Sequence, residues 1–333
     1  LGVFALLAVC QQTVLGQDRS MYDFPTSAPT YNMRSNTTAA SKSASVACFT
    51  TTSASYATDI SPQGMSSGDL DNDGDIDLVT ANAGANTVSV FLNQGTGTFA
   101  SKVDYAAANS SFSVTIADLN KDGFKDIVAV GSTGNVKVLL NSGTATFTVG
   151  TSWTFMGSNA AKVGDLNADG NPDLVVSTSS TVTVLLGNGD GTFATGVAYA
   201  TGNNPVEIAL RDFDADGDLD IAVANYVSGS ISVLLGTGTG TFGTHVTYTT
   251  NTQPQGLVSG DFDGDGDYDL AANNFGSSNV SVLLGNGNGT FATKVDYTVG
   301  TAPRFIAMGD VNADGKLDLA ITNRDSNSFS LLL

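Results

Sequence analysis

Between Gly260 and Leu270 the chain reads Gly-Asp-Phe-Asp-Gly-Asp-Gly-Asp-Tyr-Asp-Leu, with a carboxylate at every second residue from Asp261 to Asp269. Counting Asp261 as position one, acidic side chains fall at positions one, three, five, seven and nine, with glycine at six. Alternate side chains meet at one point only if the backbone curls tightly, and Gly266 permits that curl because glycine accepts positive φ. Carboxylates gathered in this way repel one another unless a hard cation sits among them, and Ca²⁺ accepts roughly six to eight oxygen ligands. The stretch has the chemistry of a calcium loop.

The pattern occurs six times, with position one at Asp69, Asp118, Asp165, Asp212, Asp261 and Asp310. Successive copies start 49, 47, 47, 49 and 49 residues apart, a regularity that chance acidic runs do not show. Position three is Asp71, Asn120, Asn167, Asp214, Asp263 or Asn312, and position five is Asp73, Asp122, Asp169, Asp216, Asp265 or Asp314. Position nine is Asp77, Asp126, Asp173, Asp220, Asp269 or Asp318. Position seven varies among Asp75, Phe124, Asn171, Asp218, Asp267 and Lys316, so a ligand there must be the backbone carbonyl. An EF-hand would carry a Glu at position twelve, where this chain has Thr80, Ala129, Val176, Val223, Ala272 and Ile321. These six loops, with about one Ca²⁺ each, are the expected metal sites.

The loops account for the charge. They hold 24 of the 32 acidic residues, and six bound Ca²⁺ would bring the formal charge of −19 to −7. With 13 Lys and Arg in 333 residues there is no basic patch to neutralise phosphates, which excludes nucleic acid as a partner. The 38 glycines, with abundant Ser, Thr, Asn and Val, suit short strands joined by tight turns.

The elements that must position the loops follow in chain order. Residues 1–16 open with the apolar run Leu1 to Val9, too short to span a bilayer, and read as part of a secretory signal ending near Leu15-Gly16. Leu7-Ala8-Val9-Cys10 is a poor lipobox because Val9 is not small, which disfavours anchoring at Cys10. Residues 17–47 are rich in Ser, Thr, Ala and Asn without apolar periodicity and read as a disordered linker. Cys48 is then the one cysteine left, so no internal disulfide is expected. Residues 48–333 carry the repeat.

One unit, taken from Pro254, predicts a strand over Leu257–Asp261 entering the loop and a second over Asp269–Asn273 leaving it. A third covers Asn279–Leu284, a Gly-Asn-Gly-Asn-Gly hairpin follows, and a fourth runs from Thr290 to Tyr297. Four short strands in about fifty residues, without helical periodicity, indicate an all-β fold and a β-propeller blade. The last unit stops after its third strand, while Phe49–Tyr56 looks like a fourth strand without a blade. The expected architecture is six blades closed by that N-terminal strand; the alternative is a truncated seven-bladed ring.

Residues 49–333 resemble the FG-GAP/VCBS repeats of integrin α-chain propellers and bacterial surface proteins. The six Asp-x-Asp/Asn-x-Asp-Gly-x-x-Asp loops carry the resemblance, with Val-Leu-Leu-Gly-Asn-Gly-x-Gly-Thr-Phe at 184–193 and 282–291. It implies a propeller with Ca²⁺ between the first two strands of each blade, and extracellular adhesion or ligand recognition. Integrin propellers have seven blades, only some of which bear calcium loops, whereas every visible repeat here bears one.

Structural rather than regulatory calcium is the expectation, since extracellular modules bind Ca²⁺ with Kd of roughly 10⁻⁴ to 10⁻³ M. The function expected is that of a secreted or cell-surface, monomeric module recognising an extracellular protein or glycan. Tyr226, Phe275 and Asn274, between second and third strands, are the candidate recognition residues. The competing class is a propeller lyase or hydrolase. One His (His245, expected in solvent) and one Glu (Glu207), with the Asp committed to metal, leave no acid–base pair, so no catalytic residue is assigned.

Overall fold

The computed structural model describes residues 54–333, which fall into two units divided after Tyr56. Of the first unit only Ala54–Tyr56 are described, and they lie in no strand. The expected signal, the linker, both cysteines and most of the proposed closing strand, Phe49–Ser53, lie outside the described residues.

The second unit is all β. Blade 1 comprises β1 (Pro62–Gly68), β2 (Asp77–Asn82), β3 (Thr87–Phe91) and β4 (Val103–Ala106). Blade 2 has β5 (Ser111–Ala117), β6 (Asp126–Gly131), β7 (Asn135–Asn141) and β8 (Phe147–Thr154). Blade 3 has β9 (Ala161–Gly164), β10 (Asp173–Ser177), β11 (Thr181–Leu185) and β12 (Val197–Ala200). In blade 4 come β13 (Pro205–Arg211), β14 (Asp220–Asn225), β15 (Ser230–Leu234) and β16 (Val246–Thr249). Blade 5 consists of β17 (Pro254–Gly260), β18 (Asp269–Asn274), β19 (Asn279–Leu283) and β20 (Val295–Thr298). Blade 6 has β21 (Pro303–Gly309), β22 (Asp318–Asn323) and β23 (Ser328–Leu332). Each sheet is an antiparallel meander of neighbouring strands, and together they make a six-bladed β-propeller.

Both faces of a blade are covered by its neighbours, which is why the second strands read as unbroken apolar runs rather than alternating ones. All six residues of β6, β14 and β18 are buried. Between blades 1 and 2 the core is built from Leu70, Val88 and Val90 against Val114, Ile127 and Phe147. Between blades 4 and 5 it is Phe213, Ala222 and Ile231 against Leu257, Leu270 and Phe291. Each such Val, Leu or Ile contributes roughly 1.5–3 kcal/mol by leaving water. Five clusters of this kind join successive blades.

The fourth strands are shorter than expected. β20 starts at Val295, because Phe291 is tied to Gly285 by an isolated bridge and Ala292–Lys294 leave the ladder. Blades 1, 3 and 4 repeat the bridge, at Asn93–Phe99, Gly187–Phe193 and Gly236–Phe242.

The junction between blades 6 and 1 differs from the rest. Arg304 Nη2 of β21 donates to Gln63 Oε1 of β1 at 3.4 Å, but no apolar cluster joins the two blades among the described residues. Phe329 sits 49 residues after the fully buried Val280, yet is 65% exposed. Leu331 and Val311 are likewise 41% and 38% exposed, whereas their counterparts Val233 and Phe213 are buried. The reason is local: among the described residues no fourth strand pairs with β23, which leaves the outer part of its face uncovered by them.

Candidate metal centres

All six loops lie between the first and second strands of their blades and share one end of the ring with the turns between third and fourth strands. The two sets interlock. Gly191, Gly240 and Gly289 in those turns donate N–H bonds to Leu119, Leu166 and Phe213, the position-two carbonyls of the preceding loops, at 2.9–3.2 Å. Asn141 Nδ2 does the same to the Leu70 carbonyl at 2.7 Å.

Within each loop the curl is held by the acidic residues themselves. The position-one carboxylate accepts the N–H of the position-six glycine, at 2.8 Å for Asp310 and Gly315 and 3.1 Å for Asp261 and Gly266. Asp69, Asp118, Asp165 and Asp212 make the same bond. The position-five carboxylate accepts the N–H of position seven, as Asp265 does from Asp267 at 2.9 Å. Asp73, Asp122, Asp169, Asp216 and Asp314 repeat it. The glycine at six has positive φ throughout, reaching 98° at Gly266. Position four is left-handed too, at Asn72, Lys121, Ala168, Ala215, Gly264 and Ala313, a regularity that these varied residue types do not announce.

Three loops gather carboxylate oxygens within 4.8 Å of one another: Asp69, Asp71 and Asp77; Asp212, Asp214 and Asp220; and Asp261, Asp263 and Asp265. In the first two, Asp69 Oδ1 and Asp214 Oδ1 are buried with no hydrogen-bond partner. A buried, unpartnered anionic oxygen among other carboxylates is the arrangement a hard cation relieves. Burial, followed by the Asp73 and Asp216 charges, pushes the Asp71 and Asp214 carboxyls up. These residues fit Ca²⁺.

The other three loops have Asn at position three, and there the amide takes the place of charge. Asn120 Nδ2 donates to Asp122 at 2.9 Å, Asn167 to Asp169 at 3.0 Å and Asn312 to Asp314 at 3.1 Å. Lys121 also reaches from its own loop to Asn171 Oδ1 of the next, at 3.3 Å.

In five loops the position-seven side chain points away from the carboxylate group. A Cβ on Gly287 would meet the Asp267 carboxylate at 2.6 Å, so that side chain lies against the turn between third and fourth strands. Asp75, Asn171 and Asp218 lie against Gly95, Gly189 and Gly238, and the Phe124 ring against Gly143. This leaves the backbone carbonyl as the group position seven can offer, as its sequence variation implies.

Position nine has a role that residue type alone conceals. Asp220 is fully buried, its Oδ2 accepts the Phe213 N–H at 2.7 Å and its Oδ1 the Gly236 N–H at 2.7 Å. Asp77 holds Leu70 and Asn93, Asp126 holds Leu119 and Asn141, Asp173 holds Leu166 and Gly187, and Asp269 holds Phe262 and Gly285. Each clamps its loop to the next turn of its own blade. Asp318 holds Val311, and among the described residues its Oδ1 is unpartnered, blade 6 showing no such turn there. Burial raises the Asp77, Asp126 and Asp220 carboxyls to about 6 and those of Asp173 and Asp269 upward as well.

Of the candidate recognition residues, Tyr226 and Phe275 are half-buried at the opposite end of the ring, at the start of the turns after β14 and β18. Asn274 is buried instead, donating to Asn279 Oδ1 at 3.0 Å and Ser281 Oγ at 2.8 Å. Asn82, Asn225 and Asn323 make corresponding cross-strand bonds, so this Asn is part of the frame. His245 is half-buried rather than in solvent, with Nδ1 enclosed and unpartnered, and Glu207 pairs with Lys162 at 2.9 Å.

A β-propeller with an Asp-rich loop at the same place in each blade defines a repeat class. The FG-GAP-like repeat matches residues 69–129, 118–176, 165–223, 212–272 and 264–321, and the chain belongs to that family. No curated protein matches the chain's sequence. Among solved structures it is similar to an Agrocybe aegerita lectin that recognises non-reducing terminal N-acetylglucosamine, with 21% identity and a TM-score of 0.53 over 80% of this chain and 79% of that one. A candidate 6-phosphogluconolactonase from Bacteroides fragilis aligns at 18% identity and TM-score 0.61, over 81% and 79%. BBS1N, in its complex with ARL6DN, aligns at 13% and 0.56, over 80% of each chain. At these identities the likeness is one of fold.

Proposed function

We propose that the chain is a secreted or cell-surface recognition module whose blades are held by structural Ca²⁺. The observation that carries the calcium reading is the convergence of three carboxylates in the loops opening at Asp69, Asp212 and Asp261, the first two with an enclosed oxygen that no hydrogen bond satisfies. Each loop joins two strands of one blade, and those opening at Asp69, Asp118, Asp165 and Asp212 also bond to the next blade, so metal bound there stiffens a junction rather than opening a catalytic cleft. The acid–base residues are scattered: Glu207 is engaged by Lys162, and His245 Nδ1 is enclosed without a hydrogen-bond partner. The reading is therefore of a binding protein without catalytic activity. That one similar propeller is a lectin agrees with recognition as the function, though it adds nothing about residues.

The test is thermal unfolding of the chain in millimolar Ca²⁺ and in EGTA, with bound metal counted. The expected result is a large rise in Tm with Ca²⁺ and several ions per chain. Equal Tm values with no metal retained would remove the calcium reading.

A further inference from the structure

In a repeat protein each unit buries its core against its neighbours, and variation between units collects in the loops of one face, often the binding face. The end of the ring away from the metal loops is formed by the turns between second and third strands and by the connections between blades. Its frame is regular: Ala83, Ser132, Tyr226, Phe275 and Arg324 each donate an N–H bond, at 2.9–3.2 Å, to a left-handed residue just before a first strand. The side chains at this position are not regular. They are small in blades 1 and 2, and become Tyr, Phe and Arg in blades 4, 5 and 6. The Arg324 guanidinium lies 4.6 Å from the centre of the Phe275 ring and pairs with Asp325 at 2.6 Å. Blades 5 and 6 thus bring a ring and a cation together, and blade 4 places Tyr226 at the equivalent position.

Beside Tyr226 is an open groove of about 560 Å³, walled by the turn after β14, the connection Thr250–Gln253 and Ser277 of blade 5. Its polar lining is neutral: hydroxyls of Ser228, Thr250, Thr252 and Ser277, and the amides of Asn251 and Gln253. No charged side chain lines it, which argues against phosphate, carboxylate or ammonium ligands, while the run of hydroxyls and amides argues against an acyl chain. An aromatic face flanked by short neutral donors and acceptors matches a pyranose, whose C–H face stacks on a ring while its edge hydroxyls exchange hydrogen bonds. The volume suits one or two sugar units.

We infer that this groove is a carbohydrate-binding site for a neutral glycan, with Tyr226 as the stacking face and Thr252, Gln253 and Ser277 as hydroxyl partners. The inference rests on the recognition reading above and deepens it. Calcium acts at the other end and reaches the site only through the rigidity of blades 4 and 5.

The full chain in millimolar Ca²⁺ is titrated calorimetrically with chitotriose, cellotriose, maltotriose and, as an acidic comparison, trigalacturonic acid. At least one neutral trisaccharide is expected to bind. Tyr226→Ala should weaken it about tenfold or more, Gln253→Ala should weaken it, and Tyr226→Phe should retain it, since the ring rather than the hydroxyl stacks. Tyr297→Ala, on the outer strand of blade 5, should leave binding unchanged. Binding by none of the neutral sugars, or binding indifferent to Tyr226→Ala, overturns the inference. Binding of the acidic sugar alone, lost in Arg324→Ala, overturns the neutral class. A chain whose Tm responds to Ca²⁺ but which binds none of these sugars loses this inference and keeps the calcium reading; sugar binding without any Ca²⁺ response keeps this inference and loses the calcium reading.

Discussion

Asp220 and Asp263 are one residue type in one loop motif, yet their environments give them different tasks. Asp220 is buried with two backbone donors on its two oxygens, while Asp263 sits at the rim among carboxylates. Asp220→Ala leaves the Phe213 and Gly236 N–H groups unpaired and should cost about 2–4 kcal/mol with or without metal. Asp263→Ala should lower metal affinity and, in EGTA, change little. Urea unfolding of both variants in Ca²⁺ and in EGTA checks this; a loss for Asp220→Ala confined to Ca²⁺ would make it a ligand first. Loops also differ among themselves. Those at Asp118 and Asp310 have an Asn amide on the position-five carboxylate and a Lys within the loop, so they should release Ca²⁺ before those at Asp212 and Asp261. Asp122→Ala should therefore remove a weak site and Asp265→Ala a strong one by calorimetry, and equal affinities would contradict the ranking.

Strands carry the same lesson about what a sequence displays. The period of 47 to 49 residues, the four strands per unit and the Gly-rich hairpins were all readable, because each depends on residue type and spacing. Three features were not. The clamp at position nine is hidden because a buried acceptor and a metal ligand are both Asp. The left-handed position four is glycine in one loop of six, at Gly264, and Ala, Asn or Lys in the other five, so local preference gives no signal and the curl of the whole loop imposes the conformation. Asn274 reads as a surface residue, but the cross-strand ladder to Ser281 turns it inward. Strand β23 adds a prediction. Its sequence Ser-Phe-Ser-Leu-Leu has no charge or proline, and Phe329 and Leu331 are exposed, which is the profile of an edge that another strand must cover. The double change Phe329→Lys and Leu331→Glu should lower Tm without changing the monomeric mass in concentration-dependent light scattering, as expected of a strand covered within its own ring. A mass that falls on substitution with Tm unchanged would show instead that the strand pairs with another chain.

At the scale of the ring, the buried clamps couple stability to pH. In the folded chain the Asp77, Asp126 and Asp220 carboxyls titrate at about 6, against 3.8 for an unperturbed Asp, because burial disfavours their charge. The folded state thus binds protons more tightly than the unfolded state between those values. By linkage these groups stabilise most below pH 4, and their contribution falls as pH rises through 6. Metal-free chain in EGTA should accordingly melt higher at pH 5 than at pH 7.5. Ca²⁺ should invert the order by favouring the ionised carboxylates, and a Tm in EGTA that rises with pH would contradict the assignment.

The placement of every acidic loop at one end of the ring also makes the molecule an electric dipole aligned with its axis. Six filled loops would cancel up to twelve charges at that end and none at the other, so the dipole moment is itself a function of calcium activity. A ring approaching an anionic surface, such as a cell envelope, would be turned loop-end outward when calcium is scarce and released from that torque when calcium is plentiful. Which end meets a partner first would then be decided before any contact forms.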